Sequence, residues 1–209
     1  MKFENTKVFN FDGAFRGMRN PMNSWDKSDS WMAGDQFHIG EDDMNLAQRL
    51  IRGGSPHRKF LRQIMVSVDI TAPEYYWSQY DTYKVGTVAN STSKMHKLAT
   101  TPIRMECFEL DDYDPTIVDV SGFIELLEDM RQAYVQTKNP KIWKELVRWL
   151  PEGWLQTRTV TLNYEVIRQM VYWREGHKLS EWHSFIEWAH TLPYAEELIF
   201  LEEKTSKDI

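Results

Sequence analysis

Ile64, Val66, Val68 and Ile70 alternate with Ser67 and Asp69, the period-two pattern of a strand that buries one face and wets the other. Elsewhere the apolar positions recur at the three-to-four spacing of helices. Asp42 or Asp43 is placed to cap a helix that carries Met44, Ala47, Leu50 and Ile51 and ends at Gly53-Gly54. Ser121 is placed to cap a second helix through Ile124, Leu127, Met130 and Tyr134, and Asn139-Pro140 opens a third through Trp143, Leu146 and Val147. Asn163 to Arg174 and Ser180 to His190 read as amphipathic helices, the second burying Trp182, Phe185, Ile186 and Ala189. Pro73-Glu74 looks like the first turn of another, with Tyr76, Gln79, Tyr80 and Tyr83 on one face. Gly13 to Trp31 reads as irregular and rich in turn formers. The pattern predicts an α+β fold with a helical C-terminal third, and no internal repeat or low-complexity linker.

Composition narrows this picture. At 209 residues the chain is long enough for one enzyme-sized domain, 1–209, with a sizeable core, and it has no stretch apolar enough to cross a membrane. Met1-Lys2-Phe3-Glu4-Asn5 does not read as a signal peptide. The one cysteine, Cys107, excludes an intrachain disulfide framework and suits a reducing cytoplasm, the location expected. A formal net charge of −6 argues against a general nucleic-acid binder. The charges are uneven, however. Arg49, Arg52, His57, Arg58, Lys59 and Arg62 crowd around Gly53-Gly54-Ser55, while Glu106, Glu109, Asp111, Asp112, Asp114 and Asp119 form an acidic stretch. The basic cluster could attract the phosphates of a dinucleotide, or it is a solvated helix end beside an exposed turn.

The segment from Thr71 to His96 offers the densest candidate chemistry. After the aromatic face come Gly86, Thr87, Asn90, Ser91, Thr92 and Ser93, hydroxyl and amide donors framed by Lys84 and Lys94. Such a loop suits an anionic ligand, the alternative being a surface hairpin with solvated lysines. Arg16 and Arg19 lie close together in the segment from Gly13 to Trp31, which reads as a basic surface loop. His183 and His190 lie two turns apart, too far for one metal, so no metal site is expected. No dinucleotide-binding glycine motif, Walker loop or nucleophile elbow is present. Trp143, Trp173 and Trp182 fall on helical apolar stripes, where core packing explains them better than base stacking.

This segment resembles the signature region of the flavin-dependent thymidylate synthases: Arg-His-Arg, seven residues, then Ser, preceded by Pro and Gln. Pro73 and Gln79 match, Thr82-Tyr83-Lys84 fills the Arg-His-Arg slot, and Lys94 stands where the family usually has another Arg. Thr92 fills the serine slot, or Ser93 does if one residue is inserted; both alignments stand open. Gly54-Ser55-Pro56 is similar to the family's Thr-Ser-Pro-Phe-Glu-His segment, without its His, which falls near Lys59. Arg148-Trp149-Leu150-Pro151, Thr157-Arg158, Asn163, Trp173-Arg174 and Trp182 follow the order of later landmarks.

The resemblance implies the family's fold, an antiparallel-rich sheet with packed helices, and its chemistry. That is conversion of dUMP to dTMP with FAD, using methylene-tetrahydrofolate and NADPH as co-substrates. It implies that Gln79, Thr92 and Lys94, with Arg148 a looser candidate, hold the phosphate or ribose of dUMP, and that Arg174 approaches the uracil carbonyls; Gln79 and Arg174 are the catalytic candidates. Ser55, Lys84, Asn90 and Asn163 would contact the flavin, Arg16 and Arg19 the folate or a phosphate. It further implies a homotetramer with sites built where subunits meet. Cys107, among carboxylates, is a poor nucleophile, which suits a family that needs no thiolate. The departures at Thr82, Tyr83, Lys84 and Lys94 leave three readings open: the synthase itself, a relative with an altered pyrimidine substrate or none, and a protein-interaction module on the same scaffold.

Overall fold

A computed structural model describes residues 1–202. In chain order it contains β1 (Lys2–Phe9), α1 (Phe11–Met18), β2 (Trp31–Ala33), β3 (Gln36–His38), α2 (Glu41–Arg52), β4 (Met65–Pro73), α3 (Glu74–Tyr80) and β5 (Val88–Ser91). There follow α4 (Lys94–Lys97), α5 (Ser121–Thr137), α6 (Pro140–Trp149), β6 (Leu155–Asn163), α7 (Tyr164–Arg174), α8 (Ser180–His190) and α9 (Ala195–Leu198). The architecture is α+β, with a four-stranded sheet in the order β1-β4-β6-β5 and an antiparallel β2-β3 hairpin. The chain forms two compact units. The first comprises 1–2, 69–82 and 89–159; the second comprises 3–68, 83–88 and, of the described residues, 160–202. No helix among the described residues is long and apolar enough to cross a membrane.

In the first unit, α5 packs on α6. Ile124, Leu127 and Leu146 meet Leu98, Ile103 and Phe108 there, with Cys107 and Trp154 partly buried against them. The fully buried Leu127 and Leu146 each contribute about 1.5–3 kcal/mol. Glu128 ties the helix to the preceding loop: its carboxylate accepts the Ile103 N–H at 2.7 Å and both Nε and Nη2 of Arg131, at 2.7 and 2.5 Å. The Arg131 hydrogen bond is the main cause that holds Glu128 at about 2, from 4.5. A carboxyl with a depressed folded-state pKa stabilises above its unfolded value and loses that contribution as the pH falls towards the folded one. Urea unfolding should therefore lose on the order of 3 kcal/mol between pH 4.5 and 2 through this group, and Glu128→Gln should flatten the slope in that window.

In the second unit the buried apolar side chains include Val66 and Val68 of β4, Leu162 of β6, and Phe15, Ile51, Leu61, Tyr164, Ile167 and Phe185. α7 packs on α8, and α1 on the 3-10 turn at Lys59–Gln63. Trp182, Phe185 and Ala189 are buried as the spacing predicts, while Ile186 is only half-buried.

Several sequence expectations change. Gly13 to Trp31 is not irregular throughout: Phe11, Ala14, Phe15 and Met18 form the buried stripe of α1. Gly17 in that helix is a close-approach residue rather than a turn former, since a Cβ there would come within 2.9 Å of the Gln63 side chain. Neither Asp42 nor Asp43 caps α2. The carboxylate of Asp29 accepts both of their backbone N–H groups, at 2.9 and 3.0 Å, and Asp43 turns inward. Ser121 is the first residue of α5, and Asp119 Oδ1 accepts its N–H. Asn139 and Asn163 do cap α6 and α7. α3 ends at Tyr80, so Tyr83 leaves its face and lies in the second unit. Trp173 is no core residue; it is 69% exposed.

Candidate functional site

In the first unit, Trp77 anchors the end of α3: its indole N–H is shared between the carbonyls of Ala72 and Gln156, and its ring carries the Arg158 guanidinium at 4.3 Å. Arg158 also reaches Asp81 Oδ1 at 2.9 Å and Gln156 Oε1 at 2.8 Å. The Gln156 amide in turn donates to the carbonyl of Thr92, whose own N–H bonds Thr157 O. This chain of contacts fixes the backbone at the end of β5, where Asn90 within the strand and Thr92 just after it stand exposed. Lys94 begins α4, and its ammonium lies 3.1 Å from Glu74 Oε1, a charge contact rather than an aligned hydrogen bond. Gln79 is half-buried on α3, and its carbonyl accepts the Thr82 hydroxyl. Burial pushes the Tyr80 phenol far above its ordinary range, so it stays protonated. Arg148 is exposed on α6 and paired with Glu145 of its own helix.

In the second unit, Arg174 ends α7 beside α8. Its Nε donates to the Tyr83 phenol oxygen at 3.0 Å, and its guanidinium lies 4.5 Å from the Trp182 ring centre and 5.4 Å from that of Tyr83. Gly86 follows Tyr83 at φ +90°. A side chain there would be strained, and its Cβ would come 3.0 Å from Val166 and 3.5 Å from the Asn163 amide nitrogen. Asn163 Oδ1 caps α7 through the Val166 N–H. Ser55 accepts a hydrogen bond from Arg62, and Lys84 is exposed.

The predicted residues thus divide between the units, with Gln79, Asn90, Thr92, Lys94 and Arg148 in one and Ser55, Lys84, Asn163 and Arg174 in the other. Arg19 is not available as a ligand: it is 5% exposed and its Nε binds Asp43 at 2.5 Å. Arg58 of the basic cluster is likewise buried against Glu165. Arg16 lies over the Trp25 ring at 5.5 Å. The sequence marked Arg158 only as a landmark, with no role of its own, and β6 was not read as a strand. The available signal was Thr157, Thr159 and Thr161, β-branched residues at every second position.

No family model matches the chain, and no curated protein matches it. Its fold is that of the flavin-dependent thymidylate synthases. It is similar to the flavin-dependent thymidylate synthase ThyX of Helicobacter pylori complexed with FAD and dUMP, with 16% identity, a TM-score of 0.74, and coverage of 98% of this chain and 100% of that one. A second structure of that enzyme with FAD and dUMP gives 15% identity, a TM-score of 0.71, and coverage of 95% and 97%.

Proposed function

We propose that the chain is a flavin-dependent thymidylate synthase-like enzyme that converts dUMP to dTMP, with methylene-tetrahydrofolate as carbon donor and NADPH as electron source. The observation that supports this most is similarity of fold from end to end with an enzyme that holds FAD and dUMP. In this reading Gln79, Thr92 and Lys94, with Arg148, take the phosphate and ribose, and Arg174 meets the uracil carbonyls. Ser55, Lys84, Asn90 and Asn163 hold the flavin. Asn163 fits that role: its oxygen is committed to the helix cap, and its amide donor faces a backbone position where only glycine leaves room. FAD, when bound, supplies the hydride; the protein binds, orients and excludes water. The signature resemblance implies that the enzyme acts as a homotetramer with sites shared between subunits. Light scattering should give four chains per particle, and a monomer at micromolar concentration would sink the shared-site arrangement.

Lys94 tests the nucleotide assignment. A charge-assisted contact is worth about 1.5–3 kcal/mol, so Lys94→Ala should weaken dUMP binding by one to two decades in calorimetry. Glu74 competes with the phosphate for that ammonium, and Glu74→Gln should tighten binding. Unchanged affinity in both variants would remove Lys94 from the phosphate site.

A nucleotide- or flavin-binding relative without turnover, or with another pyrimidine substrate, is the second reading. The observation in its favour is that Thr82 and Tyr83 stand where the resembling signature has Arg and His. Their loss predicts weak flavin retention. The protein should purify partly or wholly without flavin and develop a bound-flavin absorbance band when FAD and dUMP are added; no band at saturating FAD would exclude flavin chemistry.

A further inference from the structure

We infer that Tyr83 is a positioning residue: its phenol oxygen sets the plane of the Arg174 guanidinium that meets the carbonyl edge of a pyrimidine base. The inference rests on the nucleotide reading above. A guanidinium on a flexible stem can present its donors in many orientations, and two contacts remove that freedom here. Its Nε–H is given to Tyr83 Oη at 3.0 Å, and its plane is confined by two ring faces, Trp182 at 4.5 Å and Tyr83 at 5.4 Å.

Both rings are themselves fixed. Trp182 is fully buried on α8 and holds the Tyr83 ring edge-on at 6.1 Å and 66°, with the His177 ring edge-on at 6.2 Å. The Tyr83 carbonyl accepts the Thr87 hydroxyl, and the chain turns at Gly86 immediately beyond. A phenol serves this purpose where a second cation would repel the guanidinium. Its oxygen accepts a hydrogen bond without bringing a positive charge, and the ring adds a face besides. Tyr83 therefore offsets part of the charge lost from its segment by holding one remaining cation in a single orientation.

A double-mutant cycle separates this role from a merely structural one. Tyr83→Phe keeps the ring against Trp182 and removes only the oxygen. By calorimetry it should weaken dUMP binding about tenfold, yet less than about twofold in the Arg174→Ala background, because its effect passes through Arg174. Equal losses in both backgrounds, or none in the parent, would overturn the inference. Nitrogen-15 spectra of the same proteins without ligand should show a slowly exchanging arginine Nε–H signal that both Tyr83→Phe and Arg174→Ala remove. Its absence from the parent would also overturn the proposal. A parent protein that shows this signal but binds no dUMP would refute the nucleotide reading and leave the Tyr83–Arg174 contact standing.

Discussion

Asp43→Ala should cost about 3–5 kcal/mol of stability, the scale of a broken buried ion pair. Asp43 is fully buried, and each of its oxygens is used: Oδ1 by Arg19 Nε at 2.5 Å, Oδ2 by the hydroxyls of Ser28 and Ser30 at 2.6 and 2.5 Å. Alanine would leave the Arg19 guanidinium buried without its carboxylate and two hydroxyls without their acceptor. Urea unfolding measures the loss. A change within ~0.5 kcal/mol, the range of ordinary surface substitutions, would mean that the network forms no part of the folded core.

Glu165→Ala should be comparably severe, about 3–5 kcal/mol, because Arg58 is also buried and its Nε lies 3.1 and 2.9 Å from the two Glu165 oxygens. Gln169 shares one of those oxygens at 3.3 Å. The pair joins the loop after α2 to the first turn of α7, next to the Asn163 cap that the flavin reading uses. Replacing both Arg58 and Glu165 with apolar residues of similar volume should restore most of the stability, since the penalty comes from the stranded charge rather than from loss of attraction. Thermal unfolding of the single and double variants checks this; a double variant as unstable as Glu165→Ala alone would contradict it.

The contrast between these residues and those of the proposed site shows how much the sequence disclosed. Helices with a strong apolar stripe and an Asn cap were legible to within a residue, as at Asn139-Pro140 and Asn163, because cap chemistry and periodicity are local. β4 was legible for the same reason. β6 was not, since its Gln156 and Arg158 are polar residues whose partners, the Thr92 carbonyl and Asp81, lie 64 and 77 positions away in the chain. Arg19 and Arg58 read as surface cations because nothing local announces a carboxylate 24 or 107 residues away. The candidate site shows the same division. The loop from Lys84 to Lys94 was visible as an exposed polar run with two cations. The clamp of Arg174 between Tyr83 and Trp182 joins residues 91 positions apart and became visible only in three dimensions.

The most direct test of the central claim is product formation. Under anaerobic conditions the protein is given FAD, NADPH, dUMP and methylene-tetrahydrofolate, and the nucleotides are separated after the reaction. The account predicts dTMP that accumulates with time, depends on added FAD and falls in the Arg174→Ala variant. No dTMP at saturating FAD, from protein that measurably binds dUMP, would contradict it and leave a nucleotide-binding relative of the synthase fold.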